Sequence, residues 1–386
     1  MSSRIVVVGG GPVGLAFAIA ASRLPGLQLQ VLERATTRWE TLPAEIDHRV
    51  YALSPASMAF LDMIGVVLPK HRVAAVHGMQ VWGDDVSESI NRLDFSGGGP
   101  LAHIVEHAAL MHALGARLAS IANVQLLQGI VPAGLDLAAG KPVLRVGGQP
   151  DIAADLLVAA DGRQSLIREW AGIAATRKDY ASDGIVANYA CEHHHGDVAR
   201  QWFTTNGVLA LLPLPGNHVS MVWSVSHQLA GELPLEAPQR MAELVMEESR
   251  HVLGKLVPVS RFERFALARV MAEHWVQPGL ALMGDAAHAV HPLAGQGANL
   301  GFADARQLCE LLGNRSRFSG VGDVSLLRRY ERSRREAAWA VGTVTDRLRS
   351  LYLSDADAAH WLRNTGMGLL NQLPAAKVQL VDYAAG

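Results

Sequence analysis

The chain has 386 residues, 49% of them hydrophobic and 18% charged, with a formal net charge of −2. So apolar a chain excludes disorder, and so balanced a charge excludes a general nucleic-acid binder. Two cysteines, Cys191 and Cys309, are too few for a disulfide framework or a cysteine-rich zinc site, a usage that fits a reducing cytoplasm. The 37 glycines exceed the roughly 27 that average usage would give, so glycine is the composition's one surplus.

Taken in chain order, residues 5–8 form a short β-branched strand that ends at glycines, 13–24 a helix, and 27–32 a second buried strand ending at Glu33. This is a βαβ opening. Residues 108–121 show helical spacing and lead into a strand over 124–127, and 156–160 is an apolar strand that stops at Asp161-Gly162. From about 181 to 265 the pattern alternates, as in 219–225, which predicts a largely antiparallel sheet. A last buried strand, 280–283, runs into Gly284-Asp285, and long helical patterns dominate from 325 onward. Three long uncharged stretches, 5–22, 206–231 and 286–303, are each interrupted by glycine and proline, so none reads as a membrane span.

Gly9, Gly11 and Gly14 form a G-x-G-x-x-G loop between the first strand and helix. Gly9 permits the tight turn, Gly11 lets the backbone approach a pyrophosphate, and Gly14 permits close packing. Pro12 opens the helix, whose free N–H groups and positive dipole end favour phosphates. Glu33, nineteen residues beyond Gly14, stands where a carboxylate accepts from a ribose hydroxyl, with Arg34 beside it. The spacing leaves FAD and NAD equally open.

Two further runs carry more. The first is Ala160-Asp161-Gly162-Arg163; the second is Gly284-Asp285-Ala286-Ala287-His288, which continues through His291-Pro292-Leu293 to Gly295-Gln296-Gly297-Ala298-Asn299. With the first loop, and with Asp47-His48-Arg49, Leu211-Leu212-Pro213-Leu214, Val222-Trp223, Tyr330-Glu331-Arg332 and Leu362-Arg363-Asn364, they resemble nearly end to end the single-component FAD-dependent aromatic monooxygenases. Within that group the chain is most similar to the ubiquinone-biosynthesis hydroxylases of the UbiH/UbiI/UbiF type.

The resemblance implies an α/β (α+β) fold. A Rossmann-like FAD-binding domain of the glutathione-reductase/p-hydroxybenzoate-hydroxylase type would take residues 1–75, 100–180 and 266–324. An inserted antiparallel-sheet substrate domain would take 76–99 and 181–265, and C-terminal helices 325–386. It implies FAD as cofactor, NAD(P)H as transient electron donor, O₂ as co-substrate, and hydroxylation of an aromatic ring, in first place a polyprenylated phenol, through a flavin C4a-hydroperoxide. Asp285 would accept from the ribityl chain, Gly295, Gln296, Gly297, Ala298 and Asn299 would open a helix facing the flavin, and Arg49 and Asp161 would hold the cofactor. His107 stands where many relatives carry Arg or Gln toward the ribityl chain. Pro292, with His291, is the candidate for a carbonyl near the substrate hydroxyl, and Leu211, Trp223 and Leu293 are candidates for the pocket wall. The same chemistry on a small soluble aromatic acid, and a non-enzymatic protein of this fold, are the alternatives.

Some residues have plainer uses. Asp161-Gly162 alone marks a turn, and Asp285 alone could cap a helix. His288 and His291 lack a completing Cys, Asp or Glu, and His193-His194-His195 reads as a solvated loop, so no metal is expected. Arg328, Arg329, Arg332, Arg334 and Arg335 form either a solvated helix face or a contact for lipid headgroups or a biosynthetic partner. The expected location is the cytoplasm, with any membrane contact peripheral.

Overall fold

The computed structural model describes residues 2–36, 39, 41–83, 92–96, 98–290 and 296–352. His291, Pro292, Leu293 and Gly295, together with the region from 353 onward, lie outside the described residues. The helices are α1 (Pro12–Ala21), α2 (Pro55–Met63), α3 (His107–Ala119), α4 (Leu166–Trp170), α5 (His227–Glu232), α6 (Pro238–Glu248), α7 (Gln296–Gly313) and α8 (Val324–Tyr352).

The opening strand Ser3–Val8 runs parallel to Leu27–Glu33 on one side and Leu156–Ala159 on the other. Val124–Gln128 and Leu280–Leu282 extend this sheet in parallel, and Val276–Gln277 closes one edge antiparallel. Parallel strands must be covered on both faces, and the sequence obeys: Ile5, Val6, Val7 and Leu156 through Ala159 are all sealed from solvent. Helix α1 is apolar all round because it too is enclosed, with Leu15, Phe17 and Ile19 fully buried. Each contributes roughly 1.5–3 kcal/mol of burial energy.

The second large sheet orders its strands as His288–Ala289, Glu263–Ala272, Ala175–Cys191, His218–Ser226, Gly207–Leu214, Val198–Thr204, Gly78–Trp82 and Arg92–Ser96. Leu256–Pro258 joins it beside Ala175–Cys191. Pairing is antiparallel except between Val198–Thr204 and Gly78–Trp82. This sheet reaches past the limits of 181 and 265 set by composition. The change of pattern near 181 marks a bulge between Asp179 and Ser182, where Ala181 takes φ +50°, and the ladder continues through it. A small sheet of Val50–Leu53, Ala102–Glu106 and Val73–Val76 lies between the two large ones: its Val50, Ala52, Ala102 and Ile104 pack on Leu212 and Leu214.

Candidate active site

The glycine loop is built by backbone crowding. Gly9 has φ +106°, and a β-carbon there would lie 2.2 Å from the Ala160 carbonyl oxygen. One on Gly14 would lie 2.1 Å from the Gly9 oxygen. Gly11 differs: no atom stands within 4 Å of its missing β-carbon. It is also the N-cap of α1, which has no acid in its first turn, and no side-chain cap engages the N–H groups that follow Pro12. Gly162, at φ +86°, is likewise open. Two of the four glycines hold the loop together, and two keep a cleft clear.

Glu33 is committed differently from expectation. Its Oε2 accepts from the Gly10 N–H at 2.7 Å and its Oε1 from the Ala35 N–H at 2.8 Å. The carboxylate therefore ties the loop to the end of the second strand, and only its remaining lone pairs stay open to a ribose hydroxyl. Arg34 is exposed.

Asp285 faces solvent, yet protein encloses it on enough sides that burial raises its carboxyl above the ordinary range, against the opposing pull of His288 and Arg163. A desolvated acid that still reaches solvent sits at the floor of a concave surface. Gly297, in the first turn of α7, stands over it: a β-carbon there would be 3.9 Å from Asp285 Oδ1. Further along α7, Gly301 packs on Val13 of α1, where a β-carbon would come within 2.4 Å of Val13 Cγ2, so the first turn of α1 adjoins the second turn of α7. Gln296 and Ala298 are half-buried beside them. Asn299 serves elsewhere. Its Oδ1 accepts from Ser54 N–H at 2.9 Å and Ser57 Oγ at 2.7 Å, while its Nδ2 donates to the Ala52 oxygen at 2.9 Å. It fastens α7 to the cap of α2 rather than offering its side chain to a cofactor.

Asp161 accepts from the Ile167 N–H at 3.2 Å, and burial raises its pKa. Arg163, two residues on, donates to the Ala266 oxygen at 3.1 Å. On the opposite rim Arg49 is exposed, and among the described residues its guanidinium makes no hydrogen bond or ion pair. Its backbone oxygen accepts from the His107 N–H at 2.9 Å. The His107 ring meets Tyr51: the phenol oxygen and Nδ1 are 2.8 Å apart. Burial, then Arg49, lower His107 to about 4, and burial raises Tyr51 to about 12. Both stay neutral at physiological pH.

The loop over 47–49 also touches the large sheet, since Asn188 Nδ2 donates to the Asp47 oxygen at 2.8 Å and His48 Nε2 pairs with Glu263. Strand parity then fixes which side chains share that side. Glu263, Val186, Val222 and Ala210 stand opposite one another across four strands, and Asn188, Ser220 and Leu212 form the next row. The side facing the 47–49 loop thus presents Val186, Ala210, Leu212 and Val222. Leu211 and Trp223 do not line it. Being one residue out of phase, they point to the other side, where they are 1% and 3% exposed and pack on Ala230, Met241 and Val245 of α5 and α6. The pocket assignment is corrected by one residue on each strand.

Two more expectations change. Arg334 leaves the basic face, for its Nε bonds Asp304 Oδ1 at 2.8 Å, and Asp304 Oδ2 takes His288 Nε2 at 2.5 Å and the Gly284 N–H at 3.1 Å. Burial alone would raise Asp304, but His288 and Arg334 outweigh it and hold it below the usual carboxylate range. No local motif announces this network, which ties the Gly284 turn to α7 and α8. Within the histidine run, His195 is buried rather than solvated. Its Nε2 reaches the Leu214 and Gly216 oxygens, both at 3.0 Å, and its Nδ1 accepts from the Asp197 N–H at 3.0 Å. His194 and Asp197 lie close enough to share a metal ion with it, but both of its ring nitrogens are already engaged.

The cleft fits FAD: bare N–H groups over Gly11 for a pyrophosphate, an enclosed acid at Asp285 for a hydroxyl, and a helix N-terminus at Gln296. The FAD binding domain family matches residues 2–345. The chain is 31% identical to the 3-demethoxyubiquinol 3-hydroxylase of Escherichia coli K12, over 100% of this chain and 98% of that protein. It is 32% identical to the ubiquinone hydroxylase UbiL of Rhodospirillum rubrum, over 99% of this chain and 89% of that one. The crystal structure of p-nitrophenol 4-monooxygenase PnpA from Pseudomonas putida shares the fold, with a TM-score of 0.79 at 17% identity, covering 100% of this chain and 98% of that one.

Proposed function

This chain belongs to the FAD-binding ubiquinone-biosynthesis hydroxylases, FAD-dependent aromatic-ring monooxygenases, and we propose that its substrate is a polyprenylated phenol of that pathway. When bound and reduced by NAD(P)H, FAD would supply the activation of O₂, one atom of which would enter the ring and the other leave as water.

The residues supply place and seclusion. The first turn of α1 and the bare Gly11 receive the pyrophosphate. Asp285 accepts from a ribityl hydroxyl, with Arg49, Asp161 and His107 around the same cleft. The N-terminus of α7, from Gln296 through Ala298, turns its dipole to the negative charge of the reduced flavin. Val186, Ala210, Leu212 and Val222 make an apolar wall that keeps water from the reacting oxygen. His291 and Pro292 stay our candidates for meeting the substrate hydroxyl, Leu293 for the pocket wall, and Gly295 for the turn before α7.

The observation that carries the substrate assignment is this wall. Its charged member, Glu263, is paired with His48, and Val186, Ala210, Leu212 and Val222 offer a ring and an alkyl tail apolar contact, with Asn188 and Ser220 as the uncharged polar groups of the same side. A small aromatic acid is the second candidate, with Arg49 as its one unpaired cation on this rim among the described residues. Deleting the gene and identifying by mass the quinone precursor that accumulates decides between them. An unchanged quinone profile removes the prenylated phenol and leaves the flavin chemistry standing.

Peripheral contact with a membrane or a biosynthetic complex belongs to the same proposal. No helix among the described residues is long and apolar enough to cross a membrane. Arg328, Arg332 and Arg335 follow one exposed stripe of α8 with Trp339, which is 60% exposed, and Arg329 flanks it. This basic and aromatic stripe suits anionic headgroups, and co-sedimentation with vesicles containing and lacking anionic lipid tests it.

A further inference from the structure

The Tyr51–His107 pair does something the placement of His107 near FAD does not by itself require. His107 is the first residue of α3, and its backbone N–H is already spent on the Arg49 oxygen. Its Nδ1 lies 2.8 Å from the Tyr51 hydroxyl, with the rings 5.8 Å apart and tilted by 56°. Among the described residues, Nδ1 is the one hydrogen-bond partner of that hydroxyl. A phenol with a single neighbour that can accept gives its proton to it, so Nδ1 receives and Nε2 must carry the ring hydrogen. Nε2 in turn has no partner among the described residues and is not a sealed, orphaned atom. The pair stands where Arg49 and Asp285 both act on Tyr51 and Arg49 acts on His107, between two groups assigned to the cofactor. Arg49 disfavours a second cation there, consistent with the lowered pKa of His107.

We propose that Tyr51 is a positioning residue: by donating to Nδ1 it locks His107 in the Nε2–H form, so that a neutral imidazole presents a fixed hydrogen-bond donor to an oxygen of bound FAD. The donor role that a guanidinium fills with N–H groups alone, and an amide by turning its NH₂ toward the acceptor, is met here by two residues, because an imidazole donates from a chosen nitrogen only when the other is held. The inference rests on the reading that His107 borders the FAD cleft, and the test separates the two.

The full-length chain, stripped of flavin and labelled with ¹⁵N-histidine, reports the tautomer directly. His107 should show a protonated Nε2 and a bare Nδ1 from pH 6 to 8, and Tyr51→Phe should return it toward the free equilibrium. A protonated Nδ1 in the parent protein overturns the proposal. FAD titration into the same proteins supplies the second reading. Tyr51→Phe should weaken binding about fivefold, the scale of one neutral hydrogen bond. His107→Gln, whose amide donates without help, should bind within about twofold of the parent, and adding Tyr51→Phe to it should cost nothing further. Equal losses from Tyr51→Phe in both backgrounds would show that the phenol acts by packing, which overturns the positioning role. If His107→Ala leaves FAD affinity unchanged, His107 does not border the cofactor and the reading beneath the proposal fails, whatever the tautomer.

Discussion

The glycine loop and the apolar wall, both parts of the site we propose, are built by opposite means. The loop is short: the six residues Gly9–Gly14 set its path, and its steric demands come from backbone atoms of Gly9 and Ala160 within a few ångströms. The wall is assembled from strands separated by up to 77 residues, Glu263 to Val186, and each strand contributes alternate side chains. The loop therefore tolerates almost no substitution but is easy to recognise. The wall tolerates many substitutions and is recognisable only after register is known.

The comparison is broken most forcefully at Gly9. Gly9→Ala should cost more than about 3 kcal/mol, from positive φ and overlap with the Ala160 oxygen, and should abolish bound-flavin absorbance. Gly11→Ala is its counterpart. With open space around it, the variant should melt within about 1 kcal/mol of the parent and lose only FAD affinity. If both fail to fold, the division of labour between the glycines is wrong.

Next in size is Asp304→Asn, which should destabilise by about 3–5 kcal/mol in urea by uncompensating Arg334 and His288 inside the protein. Leu211→Ala follows, at about 2–4 kcal/mol, with substrate KM unchanged because its side chain packs on α5 and α6. Val222→Ser should do the reverse. Being half-buried on the cleft side, it should cost under about 1.5 kcal/mol but raise KM for an apolar phenol and divert more NAD(P)H into hydrogen peroxide. An effect of Leu211→Ala on KM as large as that of Val222→Ser would erase the distinction between the sides.

Acid sensitivity gives a further handle on the cleft. His107 titrates near 4 in the folded chain against an ordinary 6.5, so between those values the unfolded chain binds the proton more readily. Stability must then fall as pH drops from 6.5 toward 4, with no further contribution from this group below 4. Urea midpoints of the parent across that window should show a steeper decline than those of His107→Gln.

Most of the strands and the first helix were legible because period and punctuation are local: β-branched runs ending at glycine, and Pro12 opening α1. Residues 27–32, 124–127, 156–160 and 280–283 all prove to be strands of one sheet. At 181 a bulge leaves the same mark in composition as a chain turn, and at 265 the strand Glu263–Ala272 simply runs on. Leu211 and Trp223 were candidates for the pocket wall, and their apolar character cannot report direction. A one-residue shift in parity sends a side chain to the far side of a sheet. Glu33 and Asn299 stood out in the sequence, but the Gly10 N–H that Glu33 binds and the Ser54, Ser57 and Ala52 groups that Asn299 binds are brought within reach only by folding.

The sequence by itself pointed to the family and, through that resemblance, to FAD, and its glycine loop marked a candidate phosphate site, because those signals lie in short motifs of fixed spacing. Tertiary structure decided the rest: which side of the large sheet meets the cleft, the joining of His288, Asp304 and Arg334, and the pairing of Tyr51 with His107 across 56 residues. Those are contacts between distant segments, set by sheet register and helix docking, and spacing along the chain carries no record of them.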